Sequence, residues 1–389
     1  MGKHQIQITG DNNASYQISS TPWNNAHDDI IPAKASVKKV GSNYKVYDET
    51  GAYIAGATYS DAYVAINDEA IAGLTDSRTH MEKIILQGDF TLDTEAIAGE
   101  SFLELEIQGK VKLADAADIH LINIDEDFPR CIDIHGGELD GNSAEQTVTT
   151  INGINIVGDT EVADWWSRSF IHHTNIRDVV KHGISCVLSN GCRTILYLDT
   201  VKSACGTSQG NGVYCFGMAD FAWTNVDLGG NDDDALKMVG CGAGTIAGLR
   251  TDGSVTFQAC SQIGVTPIFI DCYNRDVNGV TIYNSSQISL AVGHIRQDAS
   301  AGYNTKSAVL FLDDAGTCRH NQVTGVYLGR PQPYTATNRW NYGIEENSSF
   351  GQTPDSNIFS VLDGSDCITA AIKKLGANST TSAIIGSVV

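Results

Sequence analysis

The stretch that decides the fold runs from Ser169 to Val239. It reads Ser169-Phe-Ile-His-His-Thr-Asn-Ile176, His182-Gly-Ile-Ser-Cys-Val187 and Arg193-Thr-Ile-Leu-Tyr-Leu-Asp-Thr-Val201. It continues with Asn211-Gly-Val-Tyr-Cys-Phe216, Phe221-Ala-Trp-Thr-Asn-Val226 and Asp234-Ala-Leu-Lys-Met-Val239. Each segment is short and alternates in polarity, so each predicts a strand with one buried face. Ile176, Val201 and Val226 hold equivalent places, 25 residues apart each time. A short period made only of strands fits one coil of a β-solenoid, in which like positions stack. Those three side chains are therefore predicted to stack inside.

The same pattern begins near Lys83 and continues to the C-terminus. Upstream, residues 36–47 alternate like two short strands about Gly41-Ser-Asn. Ser60-Asp-Ala-Tyr then opens a predicted helix, with Ser60 as N-cap and Ala62, Ile66, Ala70 and Leu74 on one face. A solenoid needs its open end covered, and this segment is placed to cover it. Residues 1 to about 30 are polar and turn-rich and read as an arm. The expected organisation is an arm and cap over 1–80 and a solenoid over 81–389.

Composition agrees. The 389 residues are 42% hydrophobic and only 18% charged, with 39 Gly and 7 Pro, a mix suited to β-structure with many turns. The net charge of −21 repels nucleic-acid phosphates. It repels acidic polymers too, except where basic side chains gather. No apolar run is long enough to span a bilayer, and the first residues lack the apolar run of a signal peptide. Ten cysteines stand singly, several inside strands, with no Cys-x-x-Cys pair; buried reduced thiols are predicted.

If Leu139, Ile176, Val201, Val226 and Ile295 point inward, their neighbours point outward. The preceding row is Glu138, Asn175, Thr200, Asn225 and His294; the following row is Asp140, Arg177, Lys202, Asp227 and Arg296. Coils about 4.8 Å apart would offer such a strip to an extended polysaccharide. Asp140, Asn175 and Asp227 are then candidate substrate contacts, and Arg177, Lys202, His294 and Arg296 candidate catalytic groups. His titrates near neutrality and Arg forks onto carboxylates. The competing reading is a solvent-facing sheet whose opposite charges merely steady the stack.

The densest acidic cluster is Gly229-Gly-Asn-Asp-Asp-Asp-Ala-Leu-Lys237. Asp232, Asp233 and Asp234 could hold Ca²⁺, which wants several oxygen ligands. Alternatively, Asp232 and Asp233 could form an acid/base pair, or the turn could simply close a coil. Asp133-Ile-His135 and His172-His173 offer further histidines on adjacent coils. Trp165 and Trp166 lie in a long insertion, and Trp340 beside Arg330-Pro-Gln-Pro-Tyr334 in a second one; both loops are expected to project, either to stack on sugars or to pack against a neighbouring subunit.

The order of capping helix, Lys83-Ile-Ile-Leu-Gln-Gly-Asp-Phe-Thr-Leu, Leu103-Glu-Leu-Glu-Ile-Gln-Gly and Gly136-Gly-Glu-Leu-Asp-Gly-Asn resembles the pectate-lyase-like superfamily over roughly residues 55–389. The resemblance implies an all-β, right-handed parallel β-helix, a scaffold of polysaccharide lyases, polygalacturonases, uronate epimerases and phage tailspike depolymerases. The triple Asp is similar to the Asp-Asp signature of polygalacturonases and to Asp-Asp-Gly-x-x-x-Lys turns of calcium-dependent pectate lyases. Carried over, it makes Asp232, Asp233 and Asp234 metal or acid/base groups and Lys237 a base. The Gly-His-Gly and Arg-Ile-Lys motifs of polygalacturonases are not complete here; Gly293-His-Ile-Arg296 stands nearest.

The expected function is a lyase or glycoside hydrolase acting on an acidic glycan, extracellular or virion-associated. The alternative is a glycan-binding or structural β-helix of a viral fibre or adhesin. Polysaccharide is the expected partner, nucleic acid and membrane are not, and the chain is expected as a monomer or homotrimer.

Overall fold

The computed structural model describes residues 33–75, 79–126, 129–159, 167–189, 194–205, 210–229, 234–272, 277–297, 305–315, 317–329, 340–348, 352–363, 367 and 369–382. Among these, the strands join into one sheet of 18 and one of 11. One coil shows the plan. Ile154–Gly158 lies in the smaller sheet, Ser167–His172 and Asn175–Val179 lie in the larger, and Ile184–Leu188 returns beside Ile154–Gly158. Successive coils pair in parallel in both sheets. The chain is an all-β parallel β-helix, the fold that the family resemblance implies. Ile154, Ile156, Ile171, Ile176 and Ile184 all enter one core between the sheets.

Coil follows coil through a shared bend in the larger sheet. His173, Thr200 and Asn225 have φ of 53°, 53° and 51°, and Gly248 has φ of 76°. They hold one position on four coils, because His172, Asp199, Thr224 and Ala247 just before them are register partners. Left-handed backbone is costly for residues with a Cβ, most of all a β-branched one such as Thr200. Hydrogen bonds between coils offset that cost: His173 N–H donates to Asp199 O and Thr200 N–H to Thr224 O, both at 3.0 Å.

Ile176, Val201 and Val226 are 0%, 1% and 1% exposed, so the expected burial holds. The expected stacking holds for Val201 and Val226, which directly precede the register partners Lys202 and Asp227, but it fails for Ile176. Ile176 pairs with Leu139 on one side and Ser203 on the other, and the row continues through Leu228, Thr251, Ile270 and Ile295. Those steps are 37, 27, 25, 23, 19 and 25 residues. Connections between strands absorb the difference in length. Val201 lies two residues before the true partner, and a slip of two leaves every side chain on its own face.

At the N-terminal end, Ala33–Val40 and Asn43–Asp48 form an antiparallel pair, joined by Tyr53–Tyr59. Ala33–Val40 also pairs in parallel with Glu82–Leu92, so the cap extends the larger sheet. The helical segment Val64–Ile71 is π-helical, and Ala62, Ile66, Ala70 and Leu74 are all buried as their spacing predicts. Ser60 is not the capping residue; Asp61 Oδ1 accepts the Tyr63 N–H at 2.8 Å. The arm of residues 1–30 lies outside the described residues.

Cys215, Cys241, Cys260 and Cys318 are buried free thiols, and Cys186, Cys205 and Cys272 are buried as well. Burial pushes the Cys215 thiol up, and that of Cys318 up to about 12. Thiolate is the reactive form, so Cys215 and Cys318 are inert while folded, and burial closes Cys241 and Cys260 to a reagent. Titration of the native protein with a thiol reagent should leave these four unreacted until denaturant is added. Rapid native labelling at any of them would show that the core opens there.

Candidate functional site

The larger sheet carries the charged strip, with a corrected register. One outward row is Glu138, Asn175, Lys202, Asp227, Arg250, Phe269 and His294. The next holds the pairs Asp140–Arg177 and Asp271–Arg296. Lys202 therefore stands beside Asn175 and Asp227, not beside Arg177. Most of the strip's charge is neutralised internally. Arg177 reaches Glu138 at 2.9 Å, Asp140 at 2.8 Å and Asp178 at 2.9 Å, and Lys110 reaches Glu138 at 3.3 Å and also binds Asp140. Asp140 is only 4% exposed. Burial works against its charge, but the hydrogen bond from Lys110 prevails and holds the carboxyl below its ordinary range. This end of the strip is an ion-pair ladder that ties coils together.

At the other end, His294 and Arg296 meet Arg250, Phe269 and Asp271 around a cleft of about 160 Å³. Arg296 is bonded to Asp271. Burial first, and then the Arg296 charge, push the His294 pKa down. Phe269 remains 45% exposed, and its ring lies where a Cβ on Gly293 would stand 2.6 Å away. The cleft is smaller than the roughly 300–1,000 Å³ of ordinary ligand pockets, so it suits one substituent of an extended chain.

The smaller sheet holds a different arrangement. Just before its strands, His120, Asn152, His182, Asn211, Asp234 and Ser254 form a ladder, one residue per coil. Asn152 N–H donates to His120 Nδ1 at 3.0 Å, and His182 N–H donates to Asn152 Oδ1 at 3.2 Å. Asn211 N–H donates to His182 Nδ1 at 3.1 Å, and Asn211 Nδ2 donates to Asp234 O at 2.6 Å. Ser254 Oγ donates to Asp234 Oδ1 at 2.7 Å. With Nδ1 accepting a backbone N–H, neutral His182 carries its proton on Nε2.

At the second residue of each strand, Ser185, Tyr214, Lys237 and Thr256 are register partners on the outward side. The His182 ring stacks on Tyr214, centroids 4.9 Å apart and planes 13° apart. Burial, then the Lys181 and Lys237 charges, lower the His182 pKa to about 4. Burial likewise raises the Tyr214 pKa. Lys237 makes no ion pair among the described residues, unlike Lys83, Lys110, Arg177 and Lys373. A neutral imidazole donor, a protonated phenol and an ammonium thus stand together on adjacent coils. Such a set can hold a carboxylate and move a proton.

Of the expected site residues, Asp140, Asn175, Arg177, Lys202, Asp227, His294 and Arg296 share the larger sheet. Asp234 and Lys237 belong to the smaller one, so these two do not join the Arg177 row. Asp232, Asp233, Trp165 and Trp166 lie outside the described residues. Trp340 is 3% exposed and packed in the core, so its ring offers no sugar platform. The strand Tyr342–Ser348, fully within the smaller sheet, draws it inward. His182 and Tyr214 were not singled out by the spacing argument. Their signal is the phrase polar-Gly-Ile/Val, which recurs as Asn152-Gly-Ile, His182-Gly-Ile and Asn211-Gly-Val. Glycine is required there because a Cβ on Gly153 or Gly212 would meet the next coil's carbonyl at 2.5 or 2.9 Å.

The His182 shift gives a pH test. Its folded pKa of about 4 lies below the ordinary 6.5, so the unfolded chain binds the proton more readily. Stability should be full above pH 6.5 and fall as pH drops towards about 4, by on the order of 3 kcal/mol. Urea midpoints across that window should show the fall, and His182→Asn should make it shallower, leaving the share of His120 and His294, whose pKa values burial also lowers. An unchanged slope in the variant would place the effect elsewhere.

No protein-family model matches this sequence, and no curated protein matches it. Among solved structures, the fold is shared with the A-module of Azotobacter vinelandii mannuronan C-5 epimerase AlgE6, at a TM-score of 0.53 and 15% identity, over 82% of this chain and 93% of that one. The AlgE4 A-module of the same organism gives a TM-score of 0.51 and 16% identity, over 82% and 94%. The enzymatically active domain of bacteriophage CBA120 tailspike protein 2 gives 0.55 and 14%, over 78% of this chain and 48% of that one. At these identities the likeness establishes the parallel β-helix, and the chemistry must be argued from this chain's own residues.

Proposed function

We propose that the chain is an enzyme acting on a uronate-containing polysaccharide at Tyr214 and Lys237, with His182 stacked against Tyr214. One observation carries this reading: in a chain of net charge −21, Lys237 stands beside a neutral histidine and a phenol, with no carboxylate paired to it among the described residues. A substrate carboxylate supplies the missing anion. Lys237 neutralises it and the His182 Nε2–H hydrogen-bonds to it, which acidifies the adjacent C5–H. Tyr214, held protonated, donates to the glycosidic oxygen as that bond breaks. The carboxylates encoded next to this strand, Asp232 and Asp233, are the candidate bases for the C5 proton. Asp234 Oδ1 accepts from Ser254 Oγ, and the calcium reading keeps Asp232, Asp233 and Asp234 as its ligands. The fold's occurrence in a mannuronan C-5 epimerase and in an enzymatically active tailspike domain supports a polysaccharide substrate.

The test is a panel of polyuronates, followed by ultraviolet absorbance of unsaturated ends and by a reducing-end assay. Elimination gives both signals. Lys237→Ala and Tyr214→Phe should each lower the rate by roughly 100-fold or more, with the melting temperature nearly unchanged. Reducing ends without unsaturation would replace elimination by hydrolysis, with Asp232 and Asp233 as the working pair. Silence in both assays, with retention on a polyuronate column, would leave a binding protein.

A further inference from the structure

Asp133, His135 and His172 sit on adjacent coils of the larger sheet, in the strands Asp133–His135 and Ser167–His172. His135 and His172 are register partners, with ring centroids 4.8 Å apart and planes 11° apart. One ligand atom from each of the three residues lies within 4.8 Å of the other two. Asp133 Oδ1 stands 2.9 Å from His172 Nε2, yet it is buried and makes no aligned hydrogen bond among the described residues. Buried carboxylate oxygens are rarely left so, because desolvation without a partner is costly.

A second layer holds the two rings. Glu104 Oε1 lies 3.2 Å from His135 Nε2, and His173 Nδ1 lies 2.9 Å from His172 Nδ1. Metal-bound imidazoles are oriented in this way by groups on the nitrogen that does not bind the ion. Lys83 reaches Glu104 at 2.8 Å and Glu106 at 2.6 Å. Counting Asp133, three carboxylates face one ammonium, so the patch favours a further positive charge.

We propose that Asp133, His135 and His172 bind a divalent transition-metal ion, with Zn²⁺ as the fitting occupant. Two imidazoles and a carboxylate are a three-ligand set, and their half-buried position leaves the fourth place open outward. Zinc bonds of about 2.0–2.2 Å place ligand atoms roughly 3.3 Å apart. Ligand atoms now up to 4.8 Å apart close to about that spacing, and the stacked rings tilt towards each other. Ca²⁺ fits poorly, since it takes about six to eight oxygens and the trio offers one carboxylate. This site lies on the other sheet from Lys237 and does not rest on the reading given to that row.

The full-length chain, stripped with a chelator and dialysed, is titrated with ZnCl₂ in a calorimeter and melted with and without the ion. One Zn²⁺ should bind per chain and raise the melting temperature. Co²⁺ should give the visible absorption of a low-coordinate nitrogen–oxygen site. His135→Gln, His172→Gln and Asp133→Asn should each weaken binding about tenfold or more and cancel the melting shift. Their metal-free melts show whether they fold, and if one fails, the other two decide. Absence of binding to the wild type would overturn the site. So would zinc binding unchanged in the His135→Gln/His172→Gln double variant, or displacement of zinc by equimolar Ca²⁺.

Discussion

Everything in this molecule depends on one constraint: each coil must hydrogen-bond in parallel register to the coils on either side. Strand spacing of about 4.8 Å then forces like positions into rows. A buried position becomes an apolar column, and an outward position becomes a column of whatever the sequence supplies. Chemistry on this scaffold therefore requires no long-range coincidence. Tyr214 and Lys237 are neighbours because their strands are, and so are His135 and His172. The bend at His173, Thr200, Asn225 and Gly248 shows the strength of the constraint, since three residues with a Cβ accept left-handed backbone to keep their coils in step.

This explains why the fold was legible and the site only partly so. Alternation within strands is a local property, and it assigned faces correctly for Ile176, Val201, Val226 and the cap residues Ala62, Ile66, Ala70 and Leu74. Register between coils depends on loop lengths, which range widely here, from the 37-residue step at Leu139–Ile176 to the 19-residue step at Thr251–Ile270. A fixed 25-residue period therefore placed Asn175, His294, Arg177 and Arg296 in the right rows but moved Lys202 and Asp227 by two. Trp340 failed for another reason. A tryptophan beside a Pro-rich insertion looks like a loop residue, and nothing local reveals that the strand following it enters the core.

The charge distribution sorts the outward rows by role. Lys110, Glu138, Asp140 and Arg177 satisfy one another, so replacing any one of them exposes a buried carboxylate or strands a cation; such networks are felt in stability before function. Asp140, Glu138 and Glu104 are all held below the ordinary carboxylate range, so their stabilising contribution exists above that range and is lost as pH falls through it. That acid-side loss begins at the ordinary glutamate value of 4.5, so it overlaps the acid end of the window in which His182 acts and continues below it. The Lys237 row has the opposite character: its members are kept neutral or without a counterion by their surroundings.

That neutrality has a structural origin in the hydrogen-bonded ladder before the smaller sheet. His182 cannot turn its Nδ1 outward, because Asn211 N–H occupies it, and Asn211 is itself tied to Asp234, which is tied to Ser254. The tautomer of one imidazole is thus fixed by coils further along the stack. Donors fixed before a substrate arrives need no reorganisation when charge develops, which is how electrostatic stabilisation becomes large in a protein. A solenoid is well suited to this, since the repeat that builds its core also builds the line of side chains that holds the donor in place. The glycines at 153, 183 and 212 complete the argument: they bring successive coils close enough for each ladder residue to reach the next. The direction in which His182 presents its proton is therefore set by the packing of coils rather than by a ligand.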